Sequence, residues 1–297
     1  MEQNVQLNMQ MEEALEALQK LNLMDDFLFD VATVDLEICK TILEMSMNIK
    51  IRSIRWKENQ KVIHNLPGRR GIRMDFYVED EDGKLYDVEI QKRNEGNIPK
   101  RTRFYQALVD APLMKSGEKT FDNLNATYIV VICAFDLFGY GKYRYTFENR
   151  CKEIPELNLG DECQKIILNT KGTNDDEVEQ SLVDFLHYVE SSCDDNVPEN
   201  CDERLKHLHR KVKQIKSDRQ VGVTYMKMET RDQIIQERGQ TIEKIILIKK
   251  KILKNKSLEM IAEDLEETPE DIRVLYETVV ENLDKTEREI LNIWDPY

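Results

Sequence analysis

The chain has 297 residues, room for one sizeable core and a smaller appendage. Its 57 Asp and Glu outweigh 43 Lys and Arg, a formal net charge of −14, which is the wrong sign for a general nucleic-acid coat with its basic footprint. The longest apolar run, residues 128–135, is far too short to span a bilayer. The six cysteines form no Cys-x-x-Cys pair, and the N-terminus is acidic and amphipathic rather than basic and then apolar. A cytoplasmic protein with reduced thiols, no signal peptide and no membrane span is the expectation. Net charge does not set the local field, and basic residues do gather at Lys92-Arg93 and at 100–103, 204–216 and 249–256.

In chain order, residues 8–20 have helical period with Met11, Leu15 and Leu18 on one side. Residues 1–21 stand as an N-terminal helix or leader. Residues 35–48 predict an amphipathic helix burying Leu36, Cys39, Ile42, Leu43 and Met47, and 49–56 alternate as a strand. A loop through Pro67-Gly68-Arg69-Arg70-Gly71 leads to the hairpin described below. Pro99 suits the first turn of the next helix, whose expected core face is Phe104, Ala107, Leu108 and Ala111, with Pro112 ending it. Residues 128–135 read as a buried central strand, followed by strands at 143–147 and 166–169. A helix over 176–189 points Val178, Leu182, Phe185, Leu186 and Val189 inward. The polar, Pro-containing stretch 191–200 is the expected linker between a domain at 22–190 and a helical region at 201–297. Within that region Ser257 and Thr268-Pro269 start two short helices. The second of them is acidic, which argues for packing or homo-oligomer contact rather than reading of a DNA groove.

The richest stretch is GIRMDFYVEDEDGKLYDVEIQ, residues 71–91. Asp80-Glu81-Asp82-Gly83 supplies tight-turn chemistry between two strands of period two. Phe76 and Val78 point one way, Asp75 and Tyr77 the other; Tyr86, Val88 and Ile90 share one face, Asp87, Glu89 and Gln91 the opposite one. Folding about Asp82 sets Asp75 opposite Glu89. Like charges so placed destabilise a sheet, so the pair needs a compensating partner, for which a divalent cation is suited. The plain alternative is an amphipathic hairpin with a solvated acidic face. His207-x-His209 does not fall on one helical face and carries no zinc site. No Gly-rich phosphate loop and no Ser-His-Asp arrangement stands out.

The order of these pieces resembles the PD-(D/E)XK nuclease superfamily, and more closely the PD-(D/E)XK nuclease family transposases, also called recombination-promoting nucleases. The resemblance lies in RRGIRMDFYV, LYDVEIQKRNEG, PKRTRFYQALVD and YIVVICAFDLFGYGKYRYTFENRC, with ILNTKG at 167–172 and Tyr225-Met226, and covers most of residues 22–235. It implies an α/β (α+β) restriction-endonuclease-like core, a central mixed sheet flanked by helices, with a helical module behind it. It implies a bacterial, Mg²⁺- or Mn²⁺-dependent DNA endonuclease. The ligands carried over are Asp75, Glu89 and the Ile90 carbonyl. Gln91 stands where the superfamily usually has Lys, able to orient water without a charge. Asp26 matches an acid of the family's first helix and is a candidate to support the ligands, or a plain helix cap. Arg101, Arg103, Tyr105 and Gln106 are candidates for phosphate or DNA contact, each Arg being equally at home on a solvated helix face. Asp87 matches no ligand and is expected at the rim. The sequence departs from the family at Asp30, where a Lys is usual. A catalytically weak interaction module on the same fold is the alternative, and DNA and RNA substrates are not separated by these motifs.

Overall fold

The hairpin turn is built by one buried carboxylate. Asp80 Oδ1 accepts hydrogen bonds from the Asp82 and Lys84 amides at 2.9 Å each, and Oδ2 accepts from the Tyr86 hydroxyl at 2.9 Å. Gly83 takes the positive φ of 82° that the turn requires. In this computed structural model, which describes residues 2–63, 72–114, 117 and 120–295, that turn joins β2 (Ile72–Asp80) to β3 (Leu85–Gln91). The Pro67–Gly71 loop lies outside the described residues. Asp80→Ala is expected to cost about 3 kcal/mol, because three hydrogen bonds to a charged acceptor go and the Tyr86 hydroxyl is stranded. Urea unfolding measures it, and a loss under about 1 kcal/mol would show that the backbone alone holds the turn.

The chain divides into two compact units, Met1–Val223 and Thr224–Tyr297. The first holds a mixed six-stranded sheet in the order β1-β2-β3-β4-β6-β5, with β1 (Ile54–Ile63), β4 (Thr127–Cys133), β5 (Arg144–Phe147) and β6 (Cys163–Asn169). β1, β2 and β3 pair antiparallel, β3, β4 and β6 pair parallel, and β5 closes the edge antiparallel to β6. The parallel β3–β4 pair demands a crossover, which α4 (Ile98–Asp110) supplies.

Strand alternation gives the sheet two apolar faces. Phe76, Val78, Tyr86, Val88 and Ile90 belong to one core with Val130 and Ile132 of β4. That core is covered by α2 (Asp26–Ala32), α3 (Leu36–Met47), α5 (Gln180–Glu190) and α6 (Glu203–Lys216). Tyr77 and Leu85 face the other way, with Ile129, Val131 and Cys133, against Ile98, Tyr105, Leu108 and Val109 of α4. The α4 face therefore differs from the expected one: Phe104 is 41 % exposed and Ala107 and Ala111 are exposed. The face turned inward carries Tyr105 and, one turn before it, Arg101, the cation that the acidic side of β3 needs. In α3, Leu36 is exposed and Ile38 takes the buried position, because Asp35 caps the helix by accepting from the Glu37 amide. The first strand begins at Ile54, later than the alternation from residue 49 suggested.

The 191–200 stretch lies within the first unit. Ser192 accepts from the Leu23 amide at 2.9 Å, its own amide donates to Asn22, and Lys216 Nζ donates to the Ser192 carbonyl at 2.7 Å. Leu205, Leu208 and Val212 of α6 then fill the first core. The helix α1 (Glu2–Lys20) likewise buries Met11, Ala14 and Leu18. The compact division thus falls later than composition indicated, inside the long helix α7 (Arg219–Ile252).

The second unit has its own core, with Ile245 and Ile248 of α7 meeting α8 (Leu258–Asp264), α9 (Pro269–Glu281) and α10 (Glu287–Trp294). Ser257, Thr268 and Thr286 cap the three short helices, the last in a reciprocal box with Glu289. No helix among the described residues is long and apolar enough to cross a membrane.

Candidate metal centre

The β2–β3 register runs Phe76↔Val88, Tyr77↔Asp87, Val78↔Tyr86. Extended by one residue, it sets Asp75 beside Glu89 at the point where β3 is about to end. The two side chains reach across reciprocally. Asp75 Oδ2 accepts from the Ile90 amide at 3.0 Å, and Glu89 Oε1 lies 3.4 Å from the Asp75 amide. Both sit on one side of the sheet, as the alternation predicted, and that side is the one α4 covers.

Asp87 is there too, and deeper. It is fully buried, and neither of its carboxylate oxygens has a hydrogen-bond partner. The rim position expected from sequence is therefore wrong. Alternation put Asp87 on the correct face, but its depth depends on α4 lying over β3, which alternation does not report. Facing these acids is Arg101, whose Nη2 is 3.7 Å from Glu89 Oε2. The guanidinium carbon lies 5.7 Å from the centroid of the Tyr105 ring, within cation–π range.

Burial dominates the electrostatics. It pushes the Asp75 carboxyl up to about 6, with the charges of Asp30 and Asp26 adding and the Ile90 amide and Arg101 opposing. Glu89 is raised well above the carboxylate range by burial and then by Asp87 and Asp75. Asp87 is raised likewise by burial and then by Asp75, again opposed by Arg101. The Tyr105 phenol is raised by burial and by Glu89. Asp30 thus adds negative field at Asp75, as does Asp26 one turn earlier. No signal in the sequence pointed to Asp30 in this role.

The remaining expected site residues separate into two groups. Ile90 and Gln91 are at the centre: Gln91 Nε2 donates to the Ile90 carbonyl at 2.5 Å. Lys92 points to the other side and pairs with Asp25, as strand alternation requires. Arg101 and Tyr105 approach the carboxylates from α4, whereas Arg103 and Gln106 do not. Gln106 donates to both Asp110 oxygens at 2.9 and 3.0 Å and accepts from Cys163 Sγ at 3.0 Å. With exposed Arg103 it lines a separate cavity of about 690 Å³ beside Leu137, Phe138 and Phe147.

The donor set fits a hard divalent cation. Asp75 and Glu89 offer carboxylate oxygens and Ile90 a carbonyl with a second lone pair, the ligands Mg²⁺ and Mn²⁺ favour. Ionised Asp75, Asp87 and Glu89 with Arg101 leave a net charge of −2, which one such ion would balance. Among the described residues no three His, Cys, Asp or Glu side chains gather closely enough to hold an ion by themselves. His209 is occupied elsewhere, with Tyr188 and Asp194.

Compared with protein-family models, residues 33–188 match the PD-(D/E)XK nuclease family transposase. That span, just over half of the chain, holds all six strands together with Asp75, Asp87, Glu89, Gln91 and Arg101; Asp26 and Asp30 precede it. No curated protein and no solved structure matches the chain.

Proposed function

Because the chain belongs to the PD-(D/E)XK nuclease family transposases, we propose that it is an endonuclease that hydrolyses DNA phosphodiester bonds with one divalent cation, Mg²⁺ or Mn²⁺, held by Asp75, Glu89 and the Ile90 carbonyl. The observation that carries this reading is the pair of carboxylates on adjacent strands, Glu89 buried and Asp75 half-buried, each hydrogen-bonded to the other strand's backbone and each raised by desolvation. A divalent cation there would neutralise the phosphate and make the attacking water acidic enough to ionise near neutral pH. The chain's own contribution is placement. The Asp75 and Glu89 side chains are locked by the β2–β3 register. Gln91 spends its amide N–H on the Ile90 carbonyl and keeps its amide oxygen to accept a hydrogen bond from the attacking water. Arg101, with unspent N–H donors, can take a phosphate oxygen.

The test is conversion of supercoiled plasmid to nicked circle by the full chain with Mg²⁺ or Mn²⁺, alongside an RNA of matching sequence. Metal-dependent nicking that is lost in Asp75→Ala supports the reading. Absence of cleavage by the wild type with either metal overturns it, and cleavage of the RNA alone changes the substrate. Gln91→Ala should slow single-turnover cleavage by about 10²-fold, the usual scale for a group that positions a transferring proton. Metal affinity measured by calorimetry should fall less than the rate does, since the amide is not itself a ligand but holds the Ile90 carbonyl that is. Gln91→Lys should retain measurable cleavage. Wild-type rates in Gln91→Ala would leave Gln91 with the structural job of tethering the carbonyl.

A further inference from the structure

A carboxyl and a guanidinium in this site have buried polar atoms whose hydrogen-bonding capacity nothing uses. Asp87 is fully buried on β3 with both carboxylate oxygens unpartnered. Arg101, on the helix that covers β3, has Nε and Nη2 buried and unpartnered. Its nearest ion-pair contact is Glu89 Oε2 at 3.7 Å, which is too long for a hydrogen bond. Native proteins rarely leave such groups unsatisfied, so the deficit calls for a further partner. A guanidinium has a planar fork of five donors and can bridge carboxylates. A divalent cation on Glu89 would repel Arg101 from its present place.

We propose that Arg101 is the resident cation of the metal-free site, and that Asp87 is the carboxylate on which it docks when a divalent cation takes Glu89. Asp87 is thereby a positioning residue acting through Arg101, not a metal ligand. Docked on Asp87, Arg101 spends some donors on that carboxylate and presents the others toward the phosphate. In the metal-free site Arg101 faces all three acids and opposes the effect of burial on each. When the cation arrives, the same guanidinium moves and closes the hydrogen-bond deficit of both partners. This rests on the metal-binding reading above, but it predicts a coupling between two residues that the reading alone does not.

The experiment is Mn²⁺ calorimetry on the full chain, in wild type, Asp87→Asn, Arg101→Gln and the double variant. Asp87→Asn should weaken Mn²⁺ binding about tenfold, because Arg101 has no dock and continues to compete at Glu89. Arg101→Gln should tighten it about tenfold, and adding Asp87→Asn to Arg101→Gln should change it by less than about threefold. If Asp87→Asn weakens binding equally in both backgrounds, Asp87 acts by simple charge and the docking is overturned. If the wild type binds no Mn²⁺, the metal reading itself fails. A second readout does not depend on the variants folding: the Arg101 Nε–H resonance of the wild type should move downfield and resist solvent exchange on saturation with Mg²⁺. A resonance that stays in place would also overturn the proposal.

Discussion

Asp75→Asn and Glu89→Gln are each expected to lower cleavage by about 10²–10³-fold or more, while the metal-free protein melts at the same temperature as the wild type or higher. The two halves of this result come from one cause. Burial is the largest influence on both carboxyls, and the charges of neighbouring acids push in the same direction. Arg101 opposes them for both residues but ranks below those effects. Each acid is therefore poorly served in the metal-free fold and needed only when a cation is present. The amide replacements keep the local bonds. The side-chain oxygen left by Asp75→Asn can still accept from the Ile90 amide, and the one left by Glu89→Gln can still stand against the backbone amide of residue 75, where the acids stand now. Both changes remove a carboxyl whose ionised form is unfavourable to bury. Single-turnover cleavage in Mg²⁺ and melting in chelator measure the two halves. Retained wild-type cleavage would take these residues out of the mechanism. A stability loss beyond about 2 kcal/mol would make them structural acids instead.

The contrast between what was readable in the sequence and what was not follows from the range of the forces involved. Strand alternation and turn chemistry are local, and they specified the faces of β2 and β3, the Asp75–Glu89 juxtaposition and the outward turn of Lys92. Caps are local as well, so Ser257 and Thr268 marked true helix starts. The phase of α4 is not local. Its sequence has apolar residues on more than one side, and Phe104 was as plausible an anchor as Tyr105. The choice was made by β3, whose acidic face needs the cation that lies one turn before Tyr105. For the same reason Arg103 and Gln106, close in sequence to Arg101, end at a different cavity. Asp87 was placed on the correct face and at the wrong depth, since depth is set by the helix that comes to cover it. The compositional change after residue 200 was real but did not mark the division, because α6 still had a core to complete.

Stability and metal binding should respond to pH in opposite senses, and the signs follow from the direction of the shifts. Unfolded, the three site acids titrate near pH 4. Folded without metal, Asp75 titrates at about 6, and Asp87 and Glu89 well above the ordinary range. From about pH 4 upward these three acids therefore hold more protons in the native state than in the unfolded one, so their contribution to stability falls as pH rises, against the single opposite slope of His209, which burial lowers. Their contribution is fully present below the unfolded value and is lost through about pH 6 for Asp75, then further above it for the other two. Glu81 and Asp264, each lowered to about 2 by their hydrogen bonds, give the opposite slope only at pH values below about 4, so the windows do not overlap. A divalent cation reverses the trend above pH 6, because it binds the ionised carboxylates and displaces their protons. With two protons released, affinity should rise by as much as about a hundredfold per pH unit across the titrating range. The measurement is the urea midpoint in chelator at about pH 5 and about pH 8, repeated with saturating Mn²⁺, together with calorimetry in two buffers of different ionisation enthalpy to count the protons released. The midpoint in chelator should be lower at the higher pH, and Mn²⁺ should restore it there far more than at the lower pH. A metal-free protein that gained stability between those two values, with Mn²⁺ binding that released no protons, would mean that the site acids are already ionised without a cation. Their burial beside Arg101 would then be a self-sufficient ion cluster rather than a seat for metal.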